Sequence, residues 1–191
     1  MSELRLENIS YHYKGGDRKV VDNVGCTFGG GQLNAVVGPS GSGKTTLLSL
    51  MAGLDAPDQG SVYIDGEDLV GLDLDRYRRE KVSMIFQAFQ LFPLLTVLEN
   101  VCFPMELNGA SRKDAIEQAR AHLAAVGIDP ELHKRYPANL SGGEQQRVAI
   151  ARTLASGARV LLADEPTGNL DTANGGKVVE ILGTLAHEQG Y

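Results

Sequence analysis

The sequence predicts an α/β fold built on a parallel sheet, and three observations carry that expectation. An apolar run, Leu33-Asn34-Ala35-Val36-Val37, leads into a glycine-rich loop that is followed by an amphipathic helix. A second apolar run, Val160-Leu161-Leu162-Ala163, ends in the acids Asp164 and Glu165. Strand signals alternate with helical ones, as they do where strands pair in parallel through helical crossovers. A block with helical periodicity and no strand signal, residues 96–132, interrupts that alternation.

Along the chain, residues 4–9 alternate apolar and polar side chains and predict a short strand. Residues 20–28 predict a second, bounded by the Gly29-Gly30-Gly31 turn, and residues 33–37 a buried third. Residues 44–52 predict a helix with Leu47, Leu48 and Met51 on one face and Gly53 at its C-terminal cap. Residues 61–66 alternate and end in the turn signal Asp65-Gly66, and residues 82–87 form another apolar strand. The helical block is alanine-rich over residues 115–125 and is punctuated by Pro130 and Pro137. A helix after Leu140 carries Val148, Ala151, Leu154 and Ala155 on one face, and strand 160–163 follows it. The closing helix carries Val178, Val179, Leu182, Leu185 and Ala186.

With 191 residues and 42% hydrophobic side chains, the chain can bury one substantial core. No apolar stretch approaches the roughly 18–20 residues that a membrane-spanning helix needs. The start, Met1-Ser2-Glu3-Leu4-Arg5, has no hydrophobic run of the secretory kind. Cys26 and Cys102 have no metal-site or disulfide spacing and are expected as buried thiols in a reducing cytosol. A formal net charge of −6 argues against nucleic acid as a partner. The basic run at 76–81 is broken by Glu80 and is expected to be a solvated helix face.

Gly38-Pro39-Ser40-Gly41-Ser42-Gly43-Lys44-Thr45 satisfies the phosphate-loop pattern GxxxxGK[ST] at every position. Glycines let the main chain curl until several N–H groups point at phosphate oxygens, and the following helix adds its positive end. Lys44 would neutralise the β- and γ-phosphates and the Thr45 hydroxyl would ligate Mg²⁺. Thr46 stands where a dinucleotide fingerprint would need its third glycine, so that alternative is not completed. A strand that delivers Asp164 and Glu165 to the carboxyl edge of a parallel sheet would set them beside this loop. Asp164 then suits Mg²⁺, directly or through water, and Glu165 suits a general base. Ser141 and Glu144 make an S-x-x-E capping box, which by itself needs no ligand. Gly142 and Gly143 inside its first turn cost stability, and a close approach of the backbone to an anion would account for them.

With these elements in order, the chain resembles the ATP-binding subunits of ABC transporters over its whole length. The fold implied is a P-loop NTPase parallel-sheet core, about 1–87 and 138–191, with an antiparallel β subdomain and an inserted helical subdomain, about 88–137. Leu140-Ser141-Gly142-Gly143-Glu144 resembles the family signature, Asp164-Glu165-Pro166-Thr167 its acidic strand end, and Gly168-Asn169-Leu170-Asp171 the loop in which Asp171 is the key acid. Gln87 matches the glutamine that senses Mg²⁺ and the attacking water. Tyr13 matches the adenine-stacking aromatic, with Tyr11 the other candidate and a packed core tyrosine the plain alternative. The resemblance extends the nucleotide contacts to Thr46. It implies ATP and Mg²⁺ as cofactors and a homodimer joined head to tail, in which each ATP lies between residues 38–45 of one chain and 141–143 of the other. It also implies an integral membrane permease as partner, docked on the helical subdomain and the Gln87 loop, and hence a cytoplasmic place on the inner face of the membrane.

Phe92-Pro93-Leu94-Leu95-Thr96-Val97-Leu98-Glu99-Asn100-Val101 is similar to the branch that contains lipoprotein-release, macrolide-export and antimicrobial-peptide systems. The family pattern continues into a strand ending in a switch histidine. Gly190-Tyr191 closes this sequence before such a strand, so truncation there is expected, and turnover depends on that element. None of His12, His122, His133 and His187 follows a strand in the required way, and all are expected to be solvated. A non-transport ATPase of the superfamily and an ATP-binding module without turnover stay open as alternatives.

Overall fold

The computed structural model describes residues 2–15 and 18–191. Strand β1 (Leu4–Tyr11) lies between β2 (Val21–Phe28) and β3 (Gln59–Ile64), and β4 (Glu67–Asp68) completes an antiparallel sheet of order β2-β1-β3-β4. Leu4, Leu6 and Ile9 are buried, and the change of spacing between Leu6 and Ile9 coincides with a shift in register against both neighbours. At that irregularity β3 supplies Gly60, where a Cβ would lie 2.2 Å from the Glu7 carbonyl oxygen. The expected Asp65-Gly66 turn is present, with both residues at positive φ, 53° and 85°, as a tight hairpin between twisted strands requires.

Helix α1 (Lys44–Met51) packs under this sheet, and Gly53, at φ 63°, terminates it in the left-handed conformation. Helix α2 (Leu74–Glu80) starts on the Asp73 carboxylate, buries Tyr77 and keeps Arg76 and Glu80 paired in solvent at 2.9 Å. The basic run is thus a solvated face, with one exception. Arg78 reaches back to donate to the Gly53 carbonyl.

Strands β5 (Val82–Ile85) and β6 (Val160–Ala163) pair in parallel. Alternate residues of this pair serve two cores: Val82 and Leu162 join the cluster beneath the antiparallel sheet, whereas Ile85 enters a helical cluster. That second cluster is formed by α3 (Val97–Leu107), α4 (Arg112–Ala125), α5 (Gly142–Ala155) and α6 (Thr172–Gln189). The helical block is not continuous, because Asn108 and Gly109, the latter at φ 89°, end α3 before Ser111 caps α4. Pro130 and Pro137 each open a short 3₁₀ turn. Among the described residues no helix is long and apolar enough to cross a membrane.

Three expectations are corrected. The stretch 33–37 is not a buried strand: it joins neither sheet, and Val37 is 87% exposed. An apolar run becomes a strand only where another strand satisfies its main chain. Here β6 pairs only with β5, and a cavity of about 470 Å³ separates it from Leu33 and Val36. Cys26 is half-buried rather than buried: it shares the core-facing alternation of β2 with Val24 and Phe28, but β2 is an edge strand of its sheet. His133 is 8% exposed rather than solvated, since its carbonyl caps α3 at Leu98 N and draws the residue inward.

Asn100 of α3 is fully buried and fixes the loop before its own helix. Its Oδ1 accepts from Phe92 N at 2.8 Å, and its Nδ2 donates to the carbonyls of Phe92, Leu95 and Thr96. Asn100→Ala is expected to orphan these buried groups and cost about 2–4 kcal/mol of stability. Urea denaturation measures the loss; an unchanged midpoint would show that the loop finds other partners.

Candidate active site

The phosphate-loop residues lie directly before α1. Gly41 and Gly43 have φ of 75° and 93°, conformations that side chains disfavour. A Cβ at Gly43 would also lie 2.6 Å from the Val20 carbonyl oxygen, so β2 holds the loop where only glycine fits. Gly43 caps α1 without a side-chain bond, and the first turn of α1 holds no acid. The free N–H groups and positive end of α1 therefore face the loop uncompensated. Lys44 folds back and donates to the carbonyls of Gly38 and Pro39, each at 3.0 Å.

The acidic strand end meets this loop directly. Thr45 Oγ1 donates to Asp164 Oδ1 at 3.0 Å across 119 residues of sequence. Asp164 is 9% exposed, and its amide donates to the Ile85 carbonyl, which locks it to the end of β5. Glu165 follows at φ 44°, a left-handed conformation in a non-glycine residue and a form of local strain that concentrates at functional sites. Gln87, just beyond β5, adjoins Glu165: a Cβ at Gly168 would lie 3.2 Å from Gln87 Nε2 and 3.4 Å from Glu165 Oε2. The exposed Tyr13 reaches the same helix, with its hydroxyl 2.8 Å from Thr46 Oγ1. Tyr11 packs against the core, and the two rings meet edge to face at 5.2 Å. Lys44, Thr45, Thr46, Asp164, Tyr13, Glu165 and Gln87 thus gather around the loop and the ends of β5 and β6.

The residues at 141–143 and Asp171 are explained locally in this single chain. Ser141 Oγ accepts from Glu144 N, while Glu144 Oε2 accepts from both the amide and the hydroxyl of Ser141, each at 2.7 Å. Those bonds hold the Glu144 carboxyl below its ordinary pKa. Gly143 has a packing reason, since a Cβ there would lie 2.6 Å from Asn174 Oδ1 of α6, whereas Gly142 has room for one. Asp171 caps α6 by accepting from Asn174 N at 2.9 Å, and this bond depresses its pKa.

Two further residues act on the site through contacts that no local spacing announces. Asn169 Nδ2 donates to the Gln87 carbonyl at 3.0 Å. Arg152, in the last turn of α5, donates to the carbonyls of Gln90 and Phe89. A cation at a helix C-terminus has a generic reading, so the sequence offers no signal for that contact.

The family model described as ABC transporter matches residues 21–168. The chain belongs to that family, as one of its ATP-binding subunits. It is 43% identical over 192 residues to an uncharacterised ABC transporter ATP-binding protein of Mycobacterium tuberculosis, covering 98% of this chain and 77% of that protein. It is 42% identical to the lipoprotein-releasing system ATP-binding protein LolD of Shewanella frigidimarina, over 98% of this chain and 80% of LolD. Among solved structures, the ATP-binding cassette MJ0796 in a dimeric post-hydrolysis state with ADP and Pi superposes with a TM-score of 0.88. Identity there is 38%, over 98% of this chain and 84% of that one. ATP hydrolysis coupled to transport is the activity of this family.

The Glu144 carboxylate stabilises the start of α5 only while ionised. A depressed pKa means that its contribution is full above the unfolded-state value and is lost as pH falls through the folded-state one. Glu144→Ala is expected to cost about 1 kcal/mol at neutral pH. In urea denaturation across a pH series, the gap to the parent should close below about pH 4; a constant gap would remove the ionised cap.

Proposed function

We propose that this chain binds ATP with Mg²⁺ and hydrolyses it to drive an exporter or lipoprotein-release system. The observation that carries the reading is the Thr45–Asp164 hydrogen bond, which joins the helix of the phosphate loop to the acidic strand end. A hydroxyl and a carboxylate at this spacing fit Mg²⁺, which takes few protein ligands and fills its shell with water and phosphate oxygens. Bound with the triphosphate, Mg²⁺ would supply charge neutralisation there.

The rest is the work of side chains and main chain. The amides of 38–45 and the Lys44 ammonium hold the phosphates, Lys44 exchanging the Gly38 and Pro39 carbonyls for phosphate oxygens. Thr45, Asp164 and Gln87 would hold the metal, and Tyr13 would leave Thr46 to stack on adenine. Glu165 takes a proton from the attacking water, whose oxygen bonds to the γ-phosphorus as the bond to the β–γ bridging oxygen breaks. In a head-to-tail homodimer, Ser141, Gly142 and Gly143 of the second copy close on the γ-phosphate, and Asp171 lies at that junction. The dimeric state of the MJ0796 cassette supports this assembly.

A membrane permease would dock on the helical subdomain, where Phe92, Leu94, Phe103 and Leu107 are exposed large hydrophobic side chains. The chain then sits on the cytoplasmic face of the membrane. The likeness to LolD supports the lipoprotein-release branch.

Lys44→Ala is expected to abolish ATP binding, measured with a fluorescent nucleotide. Glu165→Gln should bind ATP as the parent does and lower phosphate release by roughly 100-fold. Full turnover in Glu165→Gln would take the general base away from Glu165, and undiminished binding by Lys44→Ala would end the nucleotide reading.

A further inference from the structure

Arg152 binds main chain far from it in sequence. Nη1 donates to the Gln90 carbonyl at 2.7 Å and Nη2 to the Phe89 carbonyl at 3.4 Å, 62 and 63 residues away in sequence. Its guanidinium carbon lies 5.6 Å from the centre of the Phe92 ring, which in turn packs on Phe103 at 4.8 Å. None of the ion pairs among the described residues involves it. Burial draws its pKa below the usual arginine value, yet a guanidinium stays charged. A half-buried cation is thus balanced by two main-chain carbonyls and a ring face alone.

Those carbonyls belong to one short loop. Successive peptides of an extended strand point their carbonyls to opposite sides, so one planar fork cannot donate to both. Gln90 has φ 48°, and this left-handed residue breaks the extended course of the loop where both carbonyls meet the guanidinium. The opposite end of the loop is tied by Asn169 to the Gln87 carbonyl. Phe89 also lies against the start of α5, since a Cβ at Gly142 would meet its ring at 3.6 Å. The loop from Gln87 to Gln90 is therefore clasped at both ends, and α5 touches it twice.

We propose that Arg152 is a positioning residue for Gln87: by holding the Phe89 and Gln90 carbonyls, it fixes the reach of the Gln87 amide toward nucleotide-bound Mg²⁺. This rests on the reading of Gln87 as a metal ligand given above. Lysine cannot replace the fork, because an ammonium satisfies the two carbonyls without the same planar geometry.

The test uses the full chain and a non-hydrolysable ATP analogue, titrated in Mg²⁺ and again in EDTA. R152M keeps the bulk of the side chain and removes the fork. It should weaken binding in Mg²⁺ about 10-fold, the order seen when a group that orients a metal ligand is lost. Affinity in EDTA should stay within about twofold, since the phosphate loop is untouched. Q87A should show the same pattern, R152K an intermediate one, and R152M/Q87A no further loss than Q87A, because the two act through one contact. R152K reports on the same loop if R152M proves too unstable to purify. The proposal falls if Q87A weakens binding in Mg²⁺ while the Arg152 variants do not. It falls equally if the Arg152 loss appears in EDTA too, or adds fully to that of Q87A. Should Q87A itself leave Mg²⁺-dependent affinity unchanged, the metal-ligand reading of Gln87 fails instead, and Arg152 has no ligand to position.

Discussion

The structure depends on one pair of strands. β5 and β6 are only four residues long each, yet their alternate side chains enter two separate hydrophobic clusters. They are the only parallel strands described, so their ladder sets the spacing between the ends of both chains of logic: Gln87 beyond β5, and Asp164 with Glu165 beyond β6. Because parallel strands end on the same side, two loops distant in sequence open onto one face. The hydrogen bond from Asp164 N to the Ile85 carbonyl extends that ladder by one step and aims the carboxylate at Thr45.

Three side chains at the phosphate loop already have partners within the chain, whereas the N–H groups at the start of α1 do not. Lys44 holds two carbonyls, Thr45 holds Asp164, and Thr46 holds Tyr13. On the proposed reading, these side chains would exchange hydrogen bonds rather than gain new ones, and each exchange contributes far less than an isolated bond would. What the exchange would add is electrostatic: the ammonium leaves neutral carbonyls for oxygens of opposite charge.

Local chemistry was legible in the sequence, and long-range pairing was not. The glycine loop, the Asp65-Gly66 turn and the Ser141–Glu144 cap each depend on residues within a few positions of one another, so their spacing alone identifies them. A buried strand is expected in both apolar runs, and the structure has one at 160–163 but not at 33–37. The difference lies in whether another strand satisfies the main chain, which periodicity does not encode. The same limit hid Asn169, which reaches Gln87 across 82 residues, and Arg152, whose contacts cross more than 60. Asn100 resembles a surface residue of an amphipathic helix until its four bonds to the preceding loop are seen. For Gly143, the sequence offered an anion and the structure offers Asn174, and the two reasons coexist.

The stretch from 32 to 37 carries a colloidal consequence. It contains no proline and no charged residue, its main chain makes no backbone–backbone hydrogen bond among the described residues, although Asn34 Nδ2 donates to the Gln32 carbonyl, and Leu33, Val36 and Val37 are open to solvent. Uncharged, β-branched segments with idle backbone groups are templates on which a second molecule adds a strand. Self-association at high concentration would therefore start there, and the overall charge of −6 slows it only from a distance, since the repelling carboxylates lie elsewhere on the surface.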